Sequence, residues 1–316
     1  MSRRGGRDAR VDESTGARMR SILKSLYLKA FPVFERFGIH VTPVHHTQPV
    51  PDTRDLGPRI WSEASELVGI DMREADQLLL LESFAARFKH EYGAMPRLPS
   101  RDAPPRFYME NPFFGPVDAE VLHCMIRSER PKRIIEIGSG FSTLVAKEAL
   151  DLNARDGFPG RLDSYDPTPP PMLASIAGES VSINVSRAED IPLDTFEKLG
   201  PGDILFIDST HVVRIGGDVC YEMLDVVPRL HEGVLVHFHD IFIPAQYPKD
   251  LVLRDKFFWT EQYLLQAFLA FNESFRVLWG SSFMSSRHPD AIGEAFPSFD
   301  AGSGHVGGSF WLRRVS

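Results

Sequence analysis

Arg133-Ile-Ile-Glu-Ile-Gly-Ser-Gly-Phe-Ser-Thr143 carries an apolar run, a glycine turn and a helix-like start in eleven residues. Ile134, Ile135, Glu136 and Ile137 form a strand-like run that ends at Gly138. A tight Gly138-Ser139-Gly140 turn follows, where glycine tolerates positive φ and admits close approach to the backbone. Phe141, Leu144, Val145 and Ala149 then recur at helical spacing. Strand, glycine turn and helix in that order predict the opening unit of a doubly wound α/β sheet. The helix start leaves free N–H groups beside the turn. A dinucleotide fingerprint would place its last glycine where this chain has Thr143.

The downstream sequence alternates as such a sheet requires. Strands are expected at 161–165, 181–185, 203–207 and 233–238, with helices at 213–229 and 258–271 between or after them. Residues 151–160 read as an inserted loop, and two β-rich runs close the chain at 275–279 and 309–313. Upstream, residues 1–18 are polar and rich in glycine and arginine, which predicts a disordered tail. A helical N-terminal extension is expected over 19–105, with helices at 19–37 and 61–92, a proline-rich loop at 40–59 and a linker at 96–105. Residues 106–316 form the remaining domain, entered through a helix at 117–128.

The 316-residue chain is 43% hydrophobic and 25% charged, which suits a folded globular protein. Its net charge of −8 argues against binding nucleic acid backbones. Cys124 and Cys220 are the only cysteines, too few for a disulfide framework or a cysteine-rich zinc site. No run is apolar enough to span a bilayer and no secretion signal is visible, which points to a cytoplasmic protein. The basic amphipathic helix at 19–37 has the pattern of a membrane-surface helix. Packing on its own domain, or on a second subunit in a homo-oligomer, is the preferred reading for so short a segment.

An acidic residue two positions before the first glycine, in Glu136-Ile-Gly138-Ser-Gly140, resembles motif I of the class I S-adenosylmethionine (SAM)-dependent methyltransferases. Ser142 stands where that family often has a third glycine. The five βα units followed by a final pair of strands resemble the family's seven-stranded Rossmann-like sheet, whose last strand inserts antiparallel. Asp208-Ser-Thr-His-Val-Val-Arg-Ile-Gly-Gly-Asp218, Val236-His-Phe-His-Asp-Ile-Phe242 and Tyr247-Pro248 are similar to a bacterial group of these methyltransferases. So are the N-terminal runs Gly38-Ile-His-Val-Thr-Pro43 and Pro51-Asp-Thr-Arg54.

The resemblance implies SAM as cofactor, held by Glu136, Gly138, Ser139, Gly140 and Ser142 at the first turn. Asp166, after the second strand, would accept hydrogen bonds from the ribose. Ala188 and Glu189 would lie by the adenine, and Asp208 at the methyl-transfer end. Ligands in open α/β sheets bind beyond the carboxyl ends of the strands, where Asp208, His211, His239 and Asp240 converge. The Asp-Ser-Thr-His run after the fourth strand differs from the Asn/Asp-Pro-Pro-Tyr common in methyltransferases of nucleobase amino groups.

Two mechanisms fit a small-molecule hydroxyl as acceptor. In one, His211 or His239 is the general base, with Asp208 beside it. In the other, Asp208, His239 and Asp240 hold a divalent metal that acidifies the hydroxyl. The alternative to methyl transfer is a SAM-binding or metal-binding protein of the same fold that does not methylate oxygen.

Overall fold

The computed structural model describes residues 26–99, 105–303 and 306–316. The expected tail at 1–18 and the start of the 19–37 helix lie outside these residues, as does the middle of the 96–105 linker. The chain divides into two compact units, Met1–Pro58 and Arg59–Ser316. In the first, helix α1 covers 26–35. Phe31 of this helix stacks on His40 with ring centroids 5.1 Å apart.

The second unit opens with a short helix α2 (Arg59–Ser62) and then the long α3 (Glu74–Tyr92). Sequence spacing predicts one helix across 61–92, but the chain breaks it. Gly69 and Arg73 both take left-handed backbone angles, φ 77° and 51°. A helix cannot propagate through such residues. Helix α4 (Asp118–Glu129) leads into the sheet, and Glu120 accepts the N–H of Val117 to cap it.

The sheet has seven strands in the order β3-β2-β1-β4-β5-β7-β6. These are β1 (Arg133–Ile137), β2 (Arg161–Asp166), β3 (Val181–Val185), β4 (Ile204–Ile207), β5 (Leu235–Phe238), β6 (Phe275–Gly280) and β7 (Phe310–Arg314). The first five pair in parallel, and β7 runs antiparallel between β5 and β6. The intervening helices are α5 (Phe141–Arg155), α6 (Leu193–Phe196), α7 (Asp218–Tyr221), α8 (Lys249–Leu253) and α9 (Glu261–Leu269), with α10 (Ser281–Arg287) and α11 (Pro289–Ala295) before β7.

Helix α5 absorbs residues 151–155 that the sequence assigned to an insertion. The 213–229 helix begins at Asp218, after Gly216 and Gly217. It then loosens into a π turn at Glu222–Val226 and tightens at Val227–Arg229, around Pro228.

The central strands are apolar on both faces because helices cover both. Ile134, Ile135 and Ile137 of β1 and Ile204 to Ile207 of β4 are all buried. The strand order reverses between β1 and β4, which leaves a crevice at their carboxyl ends. Gly138 closes β1 there with φ 85°. A Cβ on it would stand 2.0 Å from the Asp208 carbonyl oxygen, so only glycine lets the two strand ends lie this close. The Asp208 N–H donates to Ile137, and the Gly138 N–H donates to Tyr165 on the other flank. No helix among the described residues is long and apolar enough to cross a membrane.

Candidate active site

The glycine turn is organised by a buried carboxylate. Glu136 is 1% exposed, and its two oxygens accept the hydroxyls of Ser142 and Thr143, each at 2.7 Å. Thr143 in turn accepts the N–H of Gly140 at 2.9 Å. Burial raises the Glu136 carboxyl to about 7 against the pull of these donors. Glu136 and Ser142 therefore tie helix α5 to strand β1 from within, and neither lines the adjoining cavity. Ser139 shares a hydrogen bond with the Ser164 hydroxyl.

That cavity, of about 220 Å³, opens over the crevice. Gly138, Asp166, Ala188, Glu189 and Asp208 line it, joined by Tyr165 and Arg214. Asp166 is half-buried, with its carboxylate accepting the N–H groups of Ser139 and Thr168 at 2.9 and 2.6 Å. Glu189 pairs with Arg187 at the rim. A Cβ at Gly140 would meet nothing within 4 Å, so free space adjoins the turn. A larger cleft of about 680 Å³ lies elsewhere, along α3, α4 and α5, lined by Glu91, Arg106, His123 and Lys147 among others.

Asp208 also belongs to a second group of side chains. His211 Nε2 is 3.3 Å from its Oδ1 and 3.5 Å from Asp240 Oδ2. His239 Nδ1 is 3.5 Å from Asp208 and 3.8 Å from Asp240. Both histidines are backed by buried carboxylates. His211 Nδ1 lies 2.9 Å from Glu261, and His239 Nε2 lies 3.5 Å from Asp118. Asp118 is fixed by the N–H groups of Gly308 and Ser309 at 2.7 and 3.0 Å. A Cβ on Gly308 would press within 3.0 Å of the Asp240 backbone, so a glycine is needed where β7 passes the end of β5. His211 and Asp240 themselves take left-handed angles, φ 60° and 54°. Such backbone costs free energy and is retained where the surrounding structure holds it.

The electrostatics follow from this pairing. Burial disfavours a charged His211, but the Asp208 and Glu261 carboxylates outweigh it and push the imidazole up to about 10. His239 is likewise raised well above its usual value, its burial overcome by Asp208, Asp240 and Asp118. Burial would raise Asp208, yet the two histidines hold it well below the carboxylate range. Asp118 is held low by His239 in the same way, against its burial. His237 differs. It is fully buried, stacks on Phe206 at 3.9 Å and bonds Ser309 at 2.9 Å, so it packs the core beneath the site.

Of the residues expected to hold a metal, Asp208 and Asp240 fall in one compact group, and its third member is His211. One donor atom from each lies within 4.8 Å of the other two, with His239 on the flank. Sequence reading missed Asp118, which reaches the site from the start of α4, far from either strand end in the chain. Glu261, at the start of α9, is 1% exposed and stands against His211.

Residues 135–241 match the family model described as a methyltransferase domain. That match runs from β1 to just beyond β5, the parallel part of the seven-stranded sheet. A protein of Archaeoglobus fulgidus, described as uncharacterized, is 31% identical over 142 residues. That match covers 42% of this chain and 61% of the relative. Among solved structures, apo CmcI-N160 is 17% identical, covering 72% of this chain and 84% of that one with a TM-score of 0.38. The cmcI-D160 Mg-SAM structure is 18% identical over the same shares, with a TM-score of 0.36.

Proposed function

We propose that this protein transfers the methyl group of SAM to an oxygen of a small molecule. The observation that carries the proposal is the double position of Asp208. It lines the cavity over the glycine turn and also stands 3.3 Å from His211 in the His/Asp group. A cofactor in the cavity and an acceptor at the group would thus meet across one side chain.

The residues present fit SAM. Gly138 keeps the turn flat against β4, and the space beside Gly140 is open. Asp166 keeps lone pairs for ribose hydroxyls beyond the two N–H groups it accepts, since an ionised carboxylate has about four acceptor positions. When bound, SAM supplies an activated methyl on a sulfonium, and the Asp208 carboxylate favours that positive charge.

The acceptor side must orient a hydroxyl and take its proton. His211 and His239 are held charged by their carboxylates, which leaves neither free as a base in that state. Asp208 and Asp240 are the anionic groups facing the acceptor position. The donor set of carboxylates and imidazole also suits a divalent cation, held by Asp208, His211 and Asp240 with His239 beside them. Such an ion, when bound, acidifies a coordinated hydroxyl near neutral pH.

Asp166→Ala is expected to weaken SAM binding by about 1–3 kcal/mol, the range for removing a charged acceptor from hydroxyl donors. Calorimetric titration reads this directly. Unchanged affinity would return Asp166 to a role confined to bracing the Ser139 turn. For the reaction itself, labelled SAM is incubated with the protein and a small-molecule extract of cells lacking the gene. Label on an oxygen of a small molecule supports the proposal; SAM binding with no transfer favours the non-methylating alternative.

A further inference from the structure

The spacing of the Asp208, His211 and Asp240 donors differs from that of ordinary ion pairs. A charged N–H bonded to a carboxylate closes to about 2.7–2.9 Å. Here His211 Nε2 stops at 3.3 Å from Asp208 and 3.5 Å from Asp240. Two ligands about 2.1 Å from one tetrahedral ion stand about 3.4 Å apart. The two His211 distances match that spacing, and one donor atom from each of the three residues lies within 4.8 Å of the other two.

His211 is also held as a ligand would be. Its Nδ1 faces the Glu261 carboxylate at 2.9 Å, which holds the proton on Nδ1 and aims Nε2 at Asp208 and Asp240, where a bound cation would take the place of the Nε2 proton. The start of α9 and the residue before it grip the same residue by its backbone. The N–H groups of Thr260 and Glu261 donate to the His211 carbonyl at 2.8 and 3.1 Å. The ring packs 4.6 Å from that of Trp259. His211 is 6% exposed and Glu261 1%, so neither orientation is left to solvent.

We infer that Asp208, His211 and Asp240 form a centre selective for a transition-metal dication, of the Mn²⁺, Fe²⁺, Co²⁺ or Zn²⁺ class, over Mg²⁺, and that Glu261 is the positioning residue that keeps His211 a ligand. The inference deepens the proposed function and rests on its metal-assisted form. Its chemical basis is the imidazole. Mg²⁺ takes hard oxygen ligands in near-ideal octahedra, whereas nitrogen donors favour the later first-row ions.

The test uses the full chain, stripped with a chelator and dialysed, with Co²⁺, Mn²⁺, Zn²⁺ and Mg²⁺ each titrated alone. Co²⁺ and Zn²⁺ are expected to bind at least about 100-fold tighter than Mg²⁺. Co²⁺ should develop visible absorption bands that report a nitrogen ligand. His211→Ala should erase those bands, and His211→Asp should move the preference toward Mg²⁺. Glu261→Gln should weaken Co²⁺ by about 10–100-fold and shift its bands, the effect of losing a carboxylate behind a histidine ligand. Glu261→Asp, which restores the charge, should recover part of the affinity, and circular dichroism confirms that each variant is folded.

Equal affinity for Mg²⁺ and Co²⁺, no metal binding, or unchanged Co²⁺ bands in His211→Ala would overturn the centre. Unchanged binding in Glu261→Gln would overturn the role of that residue. SAM titration of the same stripped protein separates the failures. SAM binding without metal binding sinks only this inference, and absence of SAM binding sinks the proposed function.

Discussion

Asp208→Asn is expected to lower methyl transfer by about 10²–10³-fold, the range for removing one preorganised electrostatic group. The substitution keeps the backbone that joins β4 to β1, where the Asp208 N–H donates to Ile137. It also keeps the side-chain volume. What it removes is the negative charge shared by His211 at 3.3 Å and His239 at 3.5 Å. The same charge faces the cavity. His239→Ala is the companion variant. It stands beyond the cavity, so SAM affinity should hold while turnover falls. The measurement is initial SAH release with the extracted acceptor pool, paired with SAM calorimetry. Undiminished rates in both variants would leave proximity alone to account for catalysis.

Gly140→Val is expected to abolish measurable SAM binding while the protein stays folded. The backbone there is extended, with φ −175°, so any residue can adopt it. A Cβ meets nothing within 4 Å, so the branch point of the valine clears the protein. Its methyl groups instead fill the space beside the turn, where the methionine part of SAM would run. Helix α5 keeps its own clamp, because Thr143 holds the Gly140 N–H through a hydroxyl that the substitution leaves in place. Thermal melts should match the wild type, and titration with SAM should give no heat. A normal SAM isotherm in the variant would move the cofactor away from this turn.

The parts of the fold that were legible in the sequence are those fixed by local chemistry. The isoleucine run before Gly138 reads as a buried strand because parallel strands are apolar on both faces. The turn reads as glycine-dependent, and the structure gives the reason in the close approach of Asp208. The clustering of Asp208, His211, His239 and Asp240 could be read from strand order, because two neighbouring strands deliver them to one edge.

What stayed hidden depends on tertiary contact. Asp118 reaches His239 only after α4 and β7 pack over the end of β5, and nothing near it in the chain marks that role. The inward turn of Glu136 was equally hidden, since its partners Ser142 and Thr143 look from sequence like ordinary helix-start residues. The break before α3 depends on Arg73 adopting a left-handed angle, which no propensity foretells.

In the proposed function the cavity between Gly138, Asp166 and Asp208 holds SAM with its reactive end toward the His/Asp group. A crystal structure of the protein with S-adenosylhomocysteine tests it most directly. Ribose hydroxyls are expected on the Asp166 carboxylate, the adenine beside Ala188 and Glu189, and the sulfur next to Asp208. Density for the ligand in the larger cleft lined by Glu91, Arg106 and His123, with the turn at Gly138 left open, would contradict it.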